Sequence, residues 1–141
     1  MELGPVHHVS INCADVEATA PFYTEVLGMK TLERPDFPFN GRWLQTGGGG
    51  EVHLIEVEGW QPPKGQHWAF RVDDIDATVA ELRDSGVEVK DPKALPGTTA
   101  RQTFFFDPSG NMIELNQPAL THLTGHLAAD KATLYRYLVA E

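Results

Sequence analysis

The stretch that decides the fold is Lys64-Gly-Gln-His-Trp-Ala-Phe-Arg-Val-Asp-Asp-Ile-Asp-Ala-Thr78, because it repeats the beginning of the chain. Near the N-terminus His8 is followed by Val9-Ser-Ile-Asn-Cys-Ala-Asp15-Val-Glu-Ala-Thr19. The offset from His8 to His67, from Asp15 to Asp74 and from Thr19 to Thr78 is 59 in each case. Two copies of one pattern are too few for a solenoid, and they imply two modules packed on one another. Each module brings a histidine to the same place.

Working outward from the repeat, Val6–Asn12 reads as a strand by its alternation. Asp15 reads as the N-cap of a helix running from Val16 to Val26, ended near Gly28, with Pro21 disturbing its first turn. Short strands are expected at 29–33, 42–46 and 51–57, and Gly59–Gly65 with Pro62 and Pro63 reads as the linker. The second module follows in the same order. His67–Val72 is a strand, Asp74 caps a helix over 75–85, and strands are expected at 87–90, 100–106 and 112–116. The expected fold is therefore α+β, two βαβββ modules (residues 5–58 and 66–118, a domain spanning 1–118). Residues 119–141 lie outside the duplication. Leu120, Leu123, Leu127, Leu134 and Leu138 give them the apolar stripe of an amphipathic C-terminal helix.

The 141 residues carry a net charge of −9, and their 11 basic residues are scattered rather than striped. That argues against nucleic acid and anionic membranes as partners. No apolar run approaches the roughly 18 residues of a membrane span, and the start lacks the pattern of a secretory signal. A single cysteine, Cys13, has no internal disulfide partner. A cytoplasmic location is the expectation.

The chemistry rests on the matched strands. His53 on the last strand of module one and Glu114 on the last strand of module two are 61 residues apart, close to the repeat offset. His8 with His67, and His53 with Glu114, thus form two pairs of candidate metal ligands. Three imidazoles and one carboxylate suit a borderline divalent ion such as Zn²⁺, Ni²⁺, Co²⁺, Mn²⁺ or Fe²⁺. The bland alternatives are surface or satisfied strand histidines, with Glu114 as the solvent-facing member of an alternating strand. Dropping His53 leaves a two-His-one-carboxylate set of the kind that serves O₂-activating Fe²⁺.

Arg71 and Arg101 are candidates for an anionic substrate group. Trp43, Phe39 and Phe105 are candidates for an apolar pocket wall, against core packing as the default for aromatics. His7 alternates away from His8, and His122 and His126 fall on the C-terminal stretch; none of these three is expected to bind metal.

The motifs His8-Val-Ser-Ile-Asn-Cys-Ala-Asp15, Phe22-Tyr-Thr-Glu-Val-Leu-Gly28, Val52-His-Leu-Ile-Glu56, His67-Trp-Ala-Phe and Asp107-Pro-Ser-Gly-Asn-Met-Ile-Glu-Leu115 together resemble the vicinal oxygen chelate superfamily. That superfamily includes glyoxalase I, methylmalonyl-CoA epimerase, extradiol dioxygenases and fosfomycin-modifying thiol transferases. The resemblance implies a mixed sheet cupped around a divalent metal, a small metal-chelating oxygenated substrate and a homodimer. It places His8, His67 and Glu114 at ligand positions, with Glu114 also able to serve as general base. His53 stands where glyoxalase-like members carry Glu or Gln, so one of two expected carboxylates is an imidazole. The implied function is a glyoxalase-like lyase or isomerase. The alternatives are an extradiol-type dioxygenase, a metal-dependent thiol transferase, or a non-enzymatic antibiotic-binding protein.

Overall fold

The computed structural model describes residues 1–119. Within them the elements run β1 (His8–Cys13), α1 (Val16–Pro21), β2 (Lys30–Leu32), β3 (Gly41–Gln45), β4 (Glu51–Glu56), β5 (His67–Arg71), α2 (Ile75–Asp84), β6 (Lys93–Ala94), β7 (Arg101–Phe106) and β8 (Met112–Gln117). The strands form two four-stranded sheets, ordered β1-β4-β3-β2 and β5-β8-β7-β6. The second order is the first with each index raised by four, so the sequence repeat is also a repeat of topology. The first sheet is mixed: β1 lies parallel to β4, while β3 pairs antiparallel with β4 and with β2. The expected C-terminal helix falls outside the described residues.

Both helices begin in the same way. Asp15 and Asp74 each accept a hydrogen bond at 3.0 Å, from the backbone N–H of Ala18 and Ala77 respectively. Such caps satisfy amide groups that have no partner inside the helix. A second side chain completes each start from the end of a strand. Val16 N–H donates to Glu56 Oε2 at 3.0 Å, and Ile75 N–H donates to Gln117 Oε1 at 2.9 Å. Glu56 and Gln117 are separated by the same 61 residues as His53 and Glu114, so the fold supports the alignment of β4 with β8.

Pro21 acts at the end of α1 rather than in its first turn. It has no N–H to return to the carbonyl four residues back, and its ring crowds that carbonyl. The chain continues as one π-helical turn over Phe22–Val26, in which Leu27 N–H reaches the Phe22 carbonyl at 3.1 Å. The expected strand at 87–90 is also absent, and the short strand forms at Lys93–Ala94 instead. Side chains take the carbonyls that a sheet partner would have used. Arg83 Nη2 donates to the Val89 carbonyl at 2.8 Å, and Thr103 Oγ1 donates to the Lys90 carbonyl at 2.6 Å.

The described residues divide into two compact units: Met1–His67 with Phe106–Met112, and Trp68–Phe105 with residues 113–119. The first buries Ile11, Val16, Tyr23, Leu44, Val52 and Leu54. The second buries Ile75, Val79 and Leu82, one stripe of α2, with Phe105, Ile113 and Leu115. Fully burying side chains of this size stabilises by about 1.5–3 kcal/mol each.

In the first unit a buried carboxylate gathers the chain. Asp107 Oδ2 accepts from Tyr23 Oη and from Asn111 Nδ2, both at 2.9 Å. Asp107 Oδ1 accepts from the backbone N–H groups of Ser109 and Asn111, again at 2.9 Å. Asn111 extends the network, donating to the Asn12 carbonyl at 2.9 Å and accepting from Trp60 Nε1 at 3.1 Å. Burial and the nearby Asp107 carboxylate hold the Tyr23 phenol above its ordinary pKa, so it stays a donor.

Two outcomes follow for stability. Asp107→Ala strands several buried donors and is expected to cost about 3 kcal/mol in urea unfolding, against about 1–2 kcal/mol for Tyr23→Phe. A loss below about 1 kcal/mol for Asp107→Ala would show the network to be dispensable. Buried Cys13 has its thiol pKa pushed up to about 11 by burial, then by Asp107 and Glu56, from the ordinary 9.0. The unfolded thiol therefore ionises first as pH rises, and the native state loses stability between pH 9 and 11. Urea midpoints measured across that window should fall further for the wild type than for Cys13→Ala. Equal slopes would contradict the shift.

Candidate functional site

The first half of the candidate site lies on the exposed start of β1 and the buried middle of β4. β4 sits between β1 and β3, and His53 is opposite Ser10 on one side and Trp43 on the other. The His8 and His53 rings stack with centroids 4.3 Å apart and planes 14° apart. Trp43 stacks on His53 at 4.3 Å and 9°. Two near-parallel rings at that spacing must occupy opposite faces, so His53 is sandwiched. This is how a polar ring in a strand centre comes to be only 7% exposed.

The sandwich leaves the edge of His53 for hydrogen bonding. Its Nε2 lies 2.9 Å from Glu51 Oε2, and the other Glu51 oxygen lies 3.9 Å from His7 Nε2. His7 Nδ1 approaches His8 Nδ1 at 3.1 Å. Glu51 is the functional candidate that sequence reasoning passed over. It shares a face of β4 with His53, two residues on, and it is the direct cross-strand neighbour of His8. Its parity with His53 is legible in the sequence, whereas the contact between the two side chains is seen only in the fold.

The second pair stands on β5 and β8, neighbours in the second sheet. His67 Nδ1 lies 2.9 Å from the Gly65 carbonyl oxygen. A carbonyl only accepts, so Nδ1 carries hydrogen and, in the neutral ring, Nε2 carries the lone pair. Hydrogen bonds of this kind fix the tautomer of ligating histidines. Glu114 is 6% exposed and is not the solvent-facing member of an alternating strand. Asn116 Nδ2 donates to Glu114 Oε1 at 2.9 Å and orients it. Asn116, like Glu51, follows the i, i+2 rule for residues on one face of a strand.

The candidate anion-binding arginines have acidic neighbours. Arg101 Nη2 donates to Asp76 Oδ1 at 2.9 Å, and its Nη1 meets the other Asp76 oxygen. This pairing holds the Asp76 carboxyl below its ordinary pKa. Arg71 Nη2 lies 3.5 Å from Asp73 Oδ1, both side chains being largely exposed. Among the aromatics, Phe39 is exposed and Trp43 half-buried beside His53, whereas Phe105 is fully buried and serves the core.

The structure thus brings His8, His53, Trp43 and Glu51 together. Among the described residues, no three His, Cys, Asp or Glu side chains form a group that could hold a metal ion. The donor chemistry nonetheless suits a borderline divalent ion, with imidazole and carboxylate at matched strand positions. His53 should resist acylation by diethyl pyrocarbonate while exposed His8 reacts, and Trp43→Ala should open His53 severalfold. Peptide mapping by mass spectrometry reads both rates, and fast labelling of His53 in the wild type would rule out the sandwich.

Residues 6–115 match the family model described as Glyoxalase/Bleomycin resistance protein/Dioxygenase superfamily. A crystal structure of a putative glyoxalase family protein from Bacillus anthracis superposes with TM-score 0.74 at 30% identity, covering 83% of this chain and 97% of that one. TnmS3, an antibiotic binding protein from Streptomyces sp. CB03234, superposes with TM-score 0.66 at 36% identity, covering 84% and 99%. A probable lactoylglutathione lyase of Vibrio cholerae serotype O1 is 31% identical, over 82% of this chain and 91% of its own.

Proposed function

Because this chain belongs to the Glyoxalase/Bleomycin resistance protein/Dioxygenase superfamily, we propose that it is a divalent-metal-dependent, glyoxalase-like lyase or isomerase. The observation that carries the reading is the matched placement of donors: His8 beside His53 on β1 and β4, and His67 with Glu114 on β5 and β8. These four would hold the ion, which is Zn, Ni, Co, Mn or Fe in the divalent state. When bound, the ion supplies positive charge that polarises a carbonyl and eases removal of a neighbouring proton.

The chain's own residues do the rest. Glu114 would swing off the ion to serve as the general base, its carboxylate accepting a proton from substrate carbon, with Asn116 beside it to fix its orientation. Trp43 forms a wall beside the imidazoles, and Arg101 or Arg71 receives an anionic substrate group by exchange with its acidic neighbour. The substrate is a small oxygenated molecule able to chelate through two oxygens. Its names among the relatives, including lactoylglutathione lyase, support the reaction class. The working form is a homodimer in the cytoplasm, with neither nucleic acid nor membrane as a partner.

One observation favours a second reading. His53 Nε2 is held by Glu51, which leaves only Nδ1 for an ion, in a ring enclosed between His8 and Trp43. His8, His67 and Glu114 alone then form a two-His-one-carboxylate set, as in an Fe²⁺ extradiol-type dioxygenase or a metal-dependent thiol transferase.

Elemental analysis of purified wild type beside His53→Ala and Glu114→Ala separates the two. Bound Zn, Ni, Co or Mn that is lost in both variants supports the four-ligand lyase or isomerase. Iron that survives His53→Ala but not Glu114→Ala transfers support to the dioxygenase. A protein that takes up none of these ions on reconstitution would sink both and leave an antibiotic-type binding module.

A further inference from the structure

The loop between β2 and β3 carries two phenylalanines that the core does not use. Phe37 and Phe39 are 39% and 44% exposed, yet their rings stack at 5.2 Å with planes 17° apart. Phe37 lies 6.2 Å from Trp43 at a 50° tilt, and Trp43 stacks on His53. A continuous file of rings therefore links His8, His53, Trp43, Phe37 and Phe39, and from the buried His53 it leads through Trp43 out to the exposed pair.

The outer rings are braced in place. The Arg34 guanidinium lies 4.8 Å from the Phe37 centroid and 4.9 Å from the Phe39 centroid, within cation–π range of both. Arg34 Nη2 also donates to the Phe39 carbonyl at 2.9 Å. Gly41 makes room for this side chain. A Cβ there would stand 3.1 and 3.2 Å from Arg34 Nε and Nη2, and 2.5 Å from the Leu54 carbonyl oxygen. Two exposed rings fixed by a cation form a surface ready to receive another ring.

Charge narrows what that ring carries. Arg42, Arg71, Arg83 and Arg101 each pair with a carboxylate. Arg34 differs: among the described residues its polar partners are two ring faces and a backbone carbonyl, although Glu33 and Asp36 are in the same loop. In a chain of net charge −9, a cation without a carboxylate beside apolar rings complements a ligand that is both aromatic and anionic.

We propose that Arg34, Phe37 and Phe39 form a recognition platform for an aromatic anion, a flat conjugated ring bearing a carboxylate. The ligand's ring stacks on the phenylalanine pair and its anionic group lies by Arg34, in line with Trp43 and His53. This names the substrate class of the site proposed above and rests on that reading. Small aliphatic chelators would leave the platform unused.

The test is calorimetric titration of the full chain, stripped of metal with EDTA, using 2-naphthoate as probe. Cyclohexanecarboxylate, which lacks the aromatic ring, and 2-naphthalenemethanol, which lacks the charge, are the matched controls. Saturable binding of naphthoate is expected, with each control about tenfold weaker, as the loss of a stacking or charge contact predicts. Phe37→Leu with Phe39→Leu keeps the loop apolar and should weaken naphthoate about tenfold. Arg34→Lys retains the charge and should preserve more naphthoate binding than Arg34→Gln, which should weaken naphthoate by a larger factor than naphthalenemethanol.

Absent naphthoate binding, equal binding of cyclohexanecarboxylate, or indifference to the leucine pair would overturn the proposal. So would sedimentation showing that the leucine pair converts a dimer to a monomer, since the face would then be an interface between copies. Failure of the catalytic reading registers separately. A wild type that binds naphthoate but takes up no divalent ion keeps the platform and loses the enzyme.

Discussion

A carboxylate buried with four hydrogen bonds organises the first unit. Removing a charge from water is costly, and only a full set of donors offsets it. Asp107 obtains that set from two backbone amides, one phenol and one side-chain amide. Tyr23 comes from the turn after Pro21, and Asn111 reaches on to the carbonyl of Asn12 and the indole of Trp60. The turn after β7 thus fastens the far end of β1, the strand whose first residue is His8. Ser109 adds to this, accepting from Ala14 N–H at 3.1 Å and meeting Thr19 Oγ1 at 2.8 Å. Polar groups, more than apolar area, set where these segments stop.

The duplicated plan is kept in the scaffold and relaxed in the chemistry. Both helices take the same aspartate cap and the same brace from the end of the neighbouring strand, with Glu56 in one module and Gln117 in the other. Between the matched donors the residue type changes, His53 in one module corresponding to Glu114 in the other. The supporting residues change too, a carboxylate at Glu51 for the imidazole and an amide at Asn116 for the carboxylate. Each module pairs an acceptor with a group able to donate to it, so each buried functional side chain has a polar partner two residues away on its own strand.

Much of this was legible in the chain. The recurrence of His, Asp and Thr at one offset carried the topology, and strand parity put His53 and Glu114 in matched places. What escaped was decided by neighbours rather than by local pattern. The Val-Glu-Val run at 87–89 has strand-like composition, but Arg83 and Thr103 capture the carbonyls there. Lys93 and Ala94 have no such composition and pair only because β7 presents Gln102 and Arg101 opposite them. Pro21 announced a fault in the helix, while its position relative to the break depended on how the chain recovered the lost bond. The aromatic file was hidden because Phe37 and Trp43 belong to different elements and meet only in the folded loop.

The parallel pairing of β1 with β4 has a consequence for the order in which the protein is built. His8 and His53 become neighbours only when the first and last strands of a module are joined, across the intervening helix and two strands. Such distant contacts form late, because the loop must be closed before they repay its entropy. A nascent chain therefore presents His8 and His53 apart, and a divalent ion meeting it finds scattered weak donors. The stacked pair exists only in a module that has finished folding.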